Sequence, residues 1–139
     1  MIISARNQLK GKIESIQEGA VNAVVVLKTS GGEVISATIS MSAVKELELA
    51  GGREAIAVIK STEVMTGVGD LKISARNQLD GEILKVEDGA VNAIVTLKTN
   101  AGSLISSTIS RSAVKELGLA AGVKAKAVIK STSVMIAVE

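Results

Sequence analysis

Two short polar clusters interrupt the apolar stretches of this 139-residue chain, and each occurs twice. One is Ser4-Ala5-Arg6-Asn7-Gln8, matched by Ser74-Ala75-Arg76-Asn77-Gln78. The other is Lys60-Ser61-Thr62, matched by Lys130-Ser131-Thr132. A weaker third, Thr38-Ile39-Ser40 with Ser42, returns as Thr108-Ile109-Ser110 with Ser112. Together they supply guanidinium, ammonium, amide and hydroxyl groups, and none contains Asp or Glu. Such a set suits a small oxyanion that offers only acceptors. Arg and Lys bring charge, while hydroxyls and backbone N–H groups bring directed bonds. Phosphate keeps a proton part of the time near neutral pH and is best met by an acceptor. A proton-free tetrahedral dianion such as sulfate, molybdate or tungstate has no such need. On the residues alone a blander reading stays open: Asn7 and Gln8 as a cap on a strand entry, Lys60-Ser61-Thr62 as a solvated turn.

A fourth repeated feature, Gly19-Ala20-Val21-Asn22, returns as Gly89-Ala90-Val91-Asn92. It reads either as a tight turn in which Asn bonds its own backbone or as a ring of N–H groups facing a symmetry axis.

Composition removes most other chemistries. The chain has no His and no Cys, so zinc fingers, thiolate centres, disulfides and His-based triads are excluded. It has no Phe, Tyr or Trp, which argues against base stacking and hence against nucleic-acid binding. A formal net charge of +2 is too small to argue otherwise. A Ser–Lys pair exists at Lys60-Ser61, but adjacent residues in extended chain point to opposite faces, so no enzyme is expected. Apolar runs are short despite a mean hydropathy of +0.40. No membrane span, no membrane partner and no secretory leader are expected, which places the protein in the cytoplasm.

These clusters must be positioned by a duplicated unit. Every match falls at an offset of 70 residues, Ile3 on Ile73 and Ala57 on Ala127, without insertions. The turn-like Gly67-Val68-Gly69-Asp70 separates a first domain, 1–68, from a second, 69–139. A unit this small is marginal alone, and without aromatics or staples it must gain stability by association.

Within one unit, residues 3–17 read as extended and broken at Gly11. Residues 21–28 form a continuous apolar run that suits a strand buried on both faces. Residues 34–40 alternate, 54–60 and 62–68 supply two further strands, and Ser30-Gly31-Gly32 is a turn. Ser40 or Ser42 caps a short helix at 43–47, which Gly118 ends in the second copy. The order β-β-β-α-β-β predicts an all-β protein: two tandem OB-like five-stranded Greek-key barrels, each with one short helix. A small SH3-like barrel is the alternative.

S-A-R-N-Q-L-x-G, E-G-A-V-N-A and A-V-I-K-S-T-x-V-M, in this order and spacing, resemble the molybdenum-pterin-binding (Mop) domain, and two copies in one chain resemble a tandem molbindin. The resemblance implies no enzyme and no cofactor, but a cytoplasmic molybdate- or tungstate-binding protein for molybdenum storage and homeostasis. It implies a homotrimer with sites at subunit interfaces. By that resemblance the first site uses Ser4, Arg6, Lys60 and Ser61, with Ser40 or Ser42 nearby. The second uses Ser74, Arg76, Lys130, Ser131 and Ser110, with Ser112 beside it. Gly19, Ala20, Val21 and Asn22, with Gly89, Ala90, Val91 and Asn92, line further sites near the threefold axis. A ligand-sensing module acting on a molybdate transport or transcription partner is the alternative function.

The copies differ near these residues. Arg111 stands in place of Met41, and Asp80 and Glu82 in place of Lys10 and Lys12. The latter exchange predicts complementary charge across the contact between the two domains.

Overall fold

The computed structural model describes residues 2–139. The first repeat forms β1 (Asn7–Glu18), β2 (Asn22–Thr29), β3 (Val34–Ser40), α1 (Met41–Glu46), β4 (Glu54–Ile59), a 3-10 turn (Ser61–Glu63) and β5 (Met65–Gly67). The second forms β6 (Asn77–Asp88), β7 (Asn92–Thr99), β8 (Leu104–Ser110), α2 (Arg111–Leu117), β9 (Lys124–Ile129), a 3-10 turn (Ser131–Ser133) and β10 (Met135–Ala137). The protein is all-β, two curled five-stranded antiparallel sheets in the OB-like order, each with one short helix.

Side-chain alternation explains the curl. In β2, Ala23, Val25 and Leu27 are buried, but Val24 and Val26 are only half-buried. The apolar run is therefore not sandwiched, because one sheet closes on a single core and its outer face meets solvent. Gly11 does not break β1: the ladder passes through it, with Thr29 on one side and Ala55 on the other. A Cβ at Gly11 would collide with the Lys28 carbonyl, and Gly81 is confined in the same way by Lys98. The irregularity that bends β1 comes later, between Ile13 and Ser15.

Ser40 caps α1 by accepting from the Ala43 N–H at 3.1 Å, and Ser110 does the same for α2 from Ala113. Gly118 ends α2 in the left-handed region at φ 62°. The matching residue of the first repeat, Glu48, holds φ 53° without glycine's freedom.

The two repeats are interlocked. β10 pairs with β4 (Met135 opposite Val58), and β5 pairs with β9 (Met65 opposite Val128). Each sheet thus takes its fifth strand from the other repeat, giving the orders β10-β4-β1-β2-β3 and β5-β9-β6-β7-β8. A single hydrophobic cluster, from Ile13 and Val25 to Val95 and Ile129, runs through both halves. The association that small aromatic-free units require is found inside the chain.

Two buried asparagines complete the interlock. The Asn7 side chain donates to the Ser106 carbonyl at 2.8 Å and accepts from the Ser106 N–H at 2.7 Å. Asn77 repeats both bonds on Ser36, at 2.9 and 2.8 Å. Each amide imitates a peptide unit and satisfies the edge of β3 or β8 in the other repeat. A second tie is not symmetric. The buried Glu33 carboxylate accepts from Thr29 (2.6 Å), Ser103 (2.8 Å) and Thr99, two of which belong to the second repeat. Its counterpart in that repeat is Ser103 itself.

Among the described residues no ion pair joins Lys10 or Lys12 to Asp80 or Glu82, although Lys10 does reach a carboxylate of the other repeat, Glu139. Asp80 meets Lys126 of its own repeat at 3.3 Å, while Lys10 meets Glu139 at 3.9 Å. Cross-strand pairing decides this: Asp80 lies opposite Lys126 in the β6–β9 ladder.

Removing the Asn7 amide (Asn7→Ala) strips Ser106 of both backbone partners. A loss of about 1–3 kcal/mol is expected, read as a lower urea midpoint; an unchanged midpoint would show that solvent replaces the amide. Burial acts to raise the Glu33 pKa, but hydrogen bonds from Thr29, Thr99, Ser103 and its own backbone outweigh it, so the carboxyl titrates below its ordinary value. Because the folded-state pKa is the lower one, this group's stabilisation is present at neutral pH and lost as pH falls through that value. Glu33→Gln should therefore flatten the acid limb of a stability-against-pH curve; an unaltered limb would remove Glu33 from the account.

Candidate functional site

Antiparallel pairing of β1 with β4 brings the first two clusters together. Asn7, the first residue of β1, lies opposite Ile59, the last of β4. Residues 4–6 and 60–62 therefore leave the sheet at the same end. The Gln8 side chain folds the leading segment back by donating to the Ala5 carbonyl at 3.0 Å. Between the segments lies a groove of about 370 Å³ lined by Ser4, Arg6, Lys60, Ser61 and Thr62. A second groove of about 370 Å³ holds Ser74, Arg76, Lys130, Ser131 and Thr132.

Among the described residues, no carboxylate lines either groove. Among the described residues, Arg6, Lys60, Arg76 and Lys130 take part in no ion pair. All four are exposed, so their charge is available to an arriving anion. A larger groove of about 530 Å³ is different in kind: Lys10, Lys12 and Lys28 line it, but so do Glu54 and Glu139.

Each candidate groove is a composite of both repeats. Met135 of β10 walls the first, and Met65 of β5 walls the second. The Ser61 hydroxyl shares a 2.8 Å hydrogen bond with Thr108 of β8, and Ser131 shares one of 2.8 Å with Thr38 of β3. Met65, Met135, Thr38 and Thr108 are not among the residues assigned to these grooves from the sequence. The sequence contains Thr38 and Thr108 in its weakest cluster, but an exact repeat carries no sign of which copy packs against which.

Ser40 and Ser42 fall elsewhere than beside Ser61. Ser40 lies opposite Asn22 in the β2–β3 ladder, and the Met41 N–H donates to the Val21 carbonyl at 2.8 Å. Ser42 donates to Ser40 at 3.2 Å. Both serines therefore group with the Gly19–Asn22 turn at the head of α1. In the second repeat Ser110 and Ser112, 3.2 Å apart, group with Gly89, Ala90, Val91 and Asn92 in the same way. The turns are closed by backbone: Gly19 N–H donates to the Asn22 carbonyl at 2.9 Å, and Gly89 to Asn92 at 2.8 Å. Val21 and Val91 stand at their tips, each 74% exposed. Arg111 adds a cation beside the second turn, 4.0 Å from Asp88, where the first has Met41.

The fold has counterparts among known proteins. The TOBE domain family model matches twice, over residues 3–66 and 73–136. The molybdenum transport protein ModE of Azotobacter vinelandii is 40% identical over 139 residues, covering 99% of this chain and 52% of ModE. The chain spans about half the length of such longer relatives. A probable molybdenum-pterin-binding protein of Haemophilus influenzae is 60% identical over 68 residues, 49% of this chain and 99% of that protein. Among solved structures, the cytoplasmic molybdate-binding protein ModG, in a PEG-grown form with molybdate bound, superposes with a TM-score of 0.97 at 42% identity over the whole of both chains. With both repeats matched and the full length superposed, the chain belongs to the TOBE-domain family, as a tandem molbindin of two Mop-like copies.

Proposed function

We propose that this protein binds molybdate or tungstate in the two composite grooves and serves cytoplasmic molybdenum storage and homeostasis. One observation carries the reading. Among the described residues, Arg and Lys side chains without an ion pair line a space together with serine hydroxyls and no carboxylate, twice in one chain. Its full-length structural neighbour is a protein described with molybdate bound. The ligand exchanges water for fixed N–H, O–H and cationic donors, and nothing is done to it chemically, so the protein is not an enzyme. Ser4, Arg6, Lys60 and Ser61 hold the first ligand; Ser74, Arg76, Lys130 and Ser131 hold the second.

We also propose that the chain works as a homotrimer, with the grooves at seams between subunits. Val21, Val91, Leu84 and Ile94 leave much of their apolar surface exposed and so available for contact with another subunit. The Gly19–Asn22 and Gly89–Asn92 turns, with Ser40, Ser42, Ser110 and Ser112, would then face one another around the threefold axis as further oxyanion sites. Neither nucleic acid nor membrane is a partner in this reading. A second function has support of its own. The match to about half of ModE fits a ligand-sensing module that acts on a transport or transcription partner.

Isothermal titration with molybdate, tungstate, sulfate and phosphate, paired with native mass measurement, tests the proposal. Molybdate and tungstate should bind at several per trimer, with little response to phosphate. Lys60→Ala with Lys130→Ala should raise the molybdate Kd about tenfold or more, the scale of a charge-assisted hydrogen bond. Absence of heat with either oxyanion would overturn the reading.

A further inference from the structure

We propose that Thr108 and Thr38 are positioning residues that set the direction of the Ser61 and Ser131 hydroxyl protons, so that each groove is tuned for a proton-free oxyanion by the opposite repeat. This rests on the oxyanion reading above and extends it.

Ser61 Oγ and Thr108 Oγ1 lie 2.8 Å apart, and each hydroxyl has one proton to give. If Ser61 donates to Thr108, its lone pairs turn to the groove and repel an anion. If Thr108 donates to Ser61, the serine proton is free for the ligand, and its oxygen is polarised by the bond it accepts. Among the described residues neither threonine hydroxyl has another acceptor, so its proton goes to the serine, and a ligand made only of acceptors meets that arrangement. Ser131 and Thr38 reproduce the geometry at 2.8 Å.

Each threonine is held in place by the interlock. Thr108 lies on β8, two residues beyond the Ser106 backbone that Asn7 grips, and Thr38 lies two beyond Ser36, gripped by Asn77. Along a strand, residues two apart share a face. The amide that precedes each groove therefore fixes the strand that aims the groove's hydroxyl.

The consequence concerns selectivity. A serine that accepts from its threonine donates to molybdate, whereas hydrogen phosphate, whose own O–H requires an acceptor, would have to reverse the pair and leave the threonine proton without its partner. Released from its threonine, the serine can rotate and accept.

The test titrates molybdate and phosphate into the full chain and into Thr38→Val/Thr108→Val, which keeps shape but removes both hydroxyls. The valine variant should bind molybdate about fivefold more weakly, the scale of one neutral hydrogen bond. Its phosphate affinity should be undiminished, so the ratio between the anions falls. Thr38→Ser/Thr108→Ser should restore both values. If circular dichroism shows the double valine variant unfolded, Thr108→Val alone carries the test, weakening one of the two groove sites and splitting the isotherm. An unchanged molybdate-to-phosphate ratio, or equal weakening for both anions, would overturn the proposal. So would failure of the serine variant to restore affinity. A wild-type chain that binds no molybdate would instead bring down the oxyanion reading beneath it.

Discussion

The Asn7 and Asn77 amides are the bonds on which the rest of the molecule depends. Each plays the part of a peptide unit against an exposed sheet edge of the other repeat. That geometry sets how the repeats sit together, and with it the exchange of β5 and β10. A short chain without aromatic residues or cysteines has little else from which to draw stability. Interlocking lets two marginal barrels share one hydrophobic cluster and leaves fewer open edges. The same motif that opens each candidate groove therefore also binds the protein together. Asn7 is buried among protein groups, whereas Arg6, its neighbour, is exposed beside the groove.

The grooves follow from this arrangement and from what they lack. Elsewhere on the surface carboxylates lie beside cations, as Asp80 beside Lys126 and Glu139 beside Lys10. At the two composite grooves the cations are left without such partners, while hydroxyls on either side are held in hydrogen bonds. An isolated positive region of this kind costs some repulsion and returns it when an anion arrives. The Glu33 knot shows the contrast: there a buried carboxylate is surrounded by hydroxyl donors of both repeats, and its role is confined to joining them.

Much of this was legible in the residues. Alternation along 34–40, the turn at 30–32 and the serine before α1 mark their elements well, because these signals are local. The meeting of the Ser4–Arg6 and Lys60–Ser61 segments follows once β1 and β4 are paired. Burial of β2 on one face only was less visible: Val24 and Val26 are apolar, yet the curl of the sheet turns them outward. Gly11 was legible as special, but its reason, the approach of the Lys28 carbonyl, lies in a neighbouring strand. The grouping of Ser40 and Ser42 with the Gly19–Asn22 turn, and of Ser61 with Thr108, was not legible. Near-identical copies give the same local pattern whether a strand stays with its own repeat or crosses to the other. Only long-range packing distinguishes the two.

The composite groove can be observed directly by anomalous diffraction from crystals grown with tungstate, whose heavy atom is located by its own scattering. The account predicts tungsten peaks within hydrogen-bonding reach, through their oxygens, of Lys60 and Ser61 and of Lys130 and Ser131, with Met135 and Met65 of the opposite repeats alongside. Tungsten found only in the lysine groove around Lys10 and Lys12, or a chain whose β5 and β10 return to their own repeats, would contradict it.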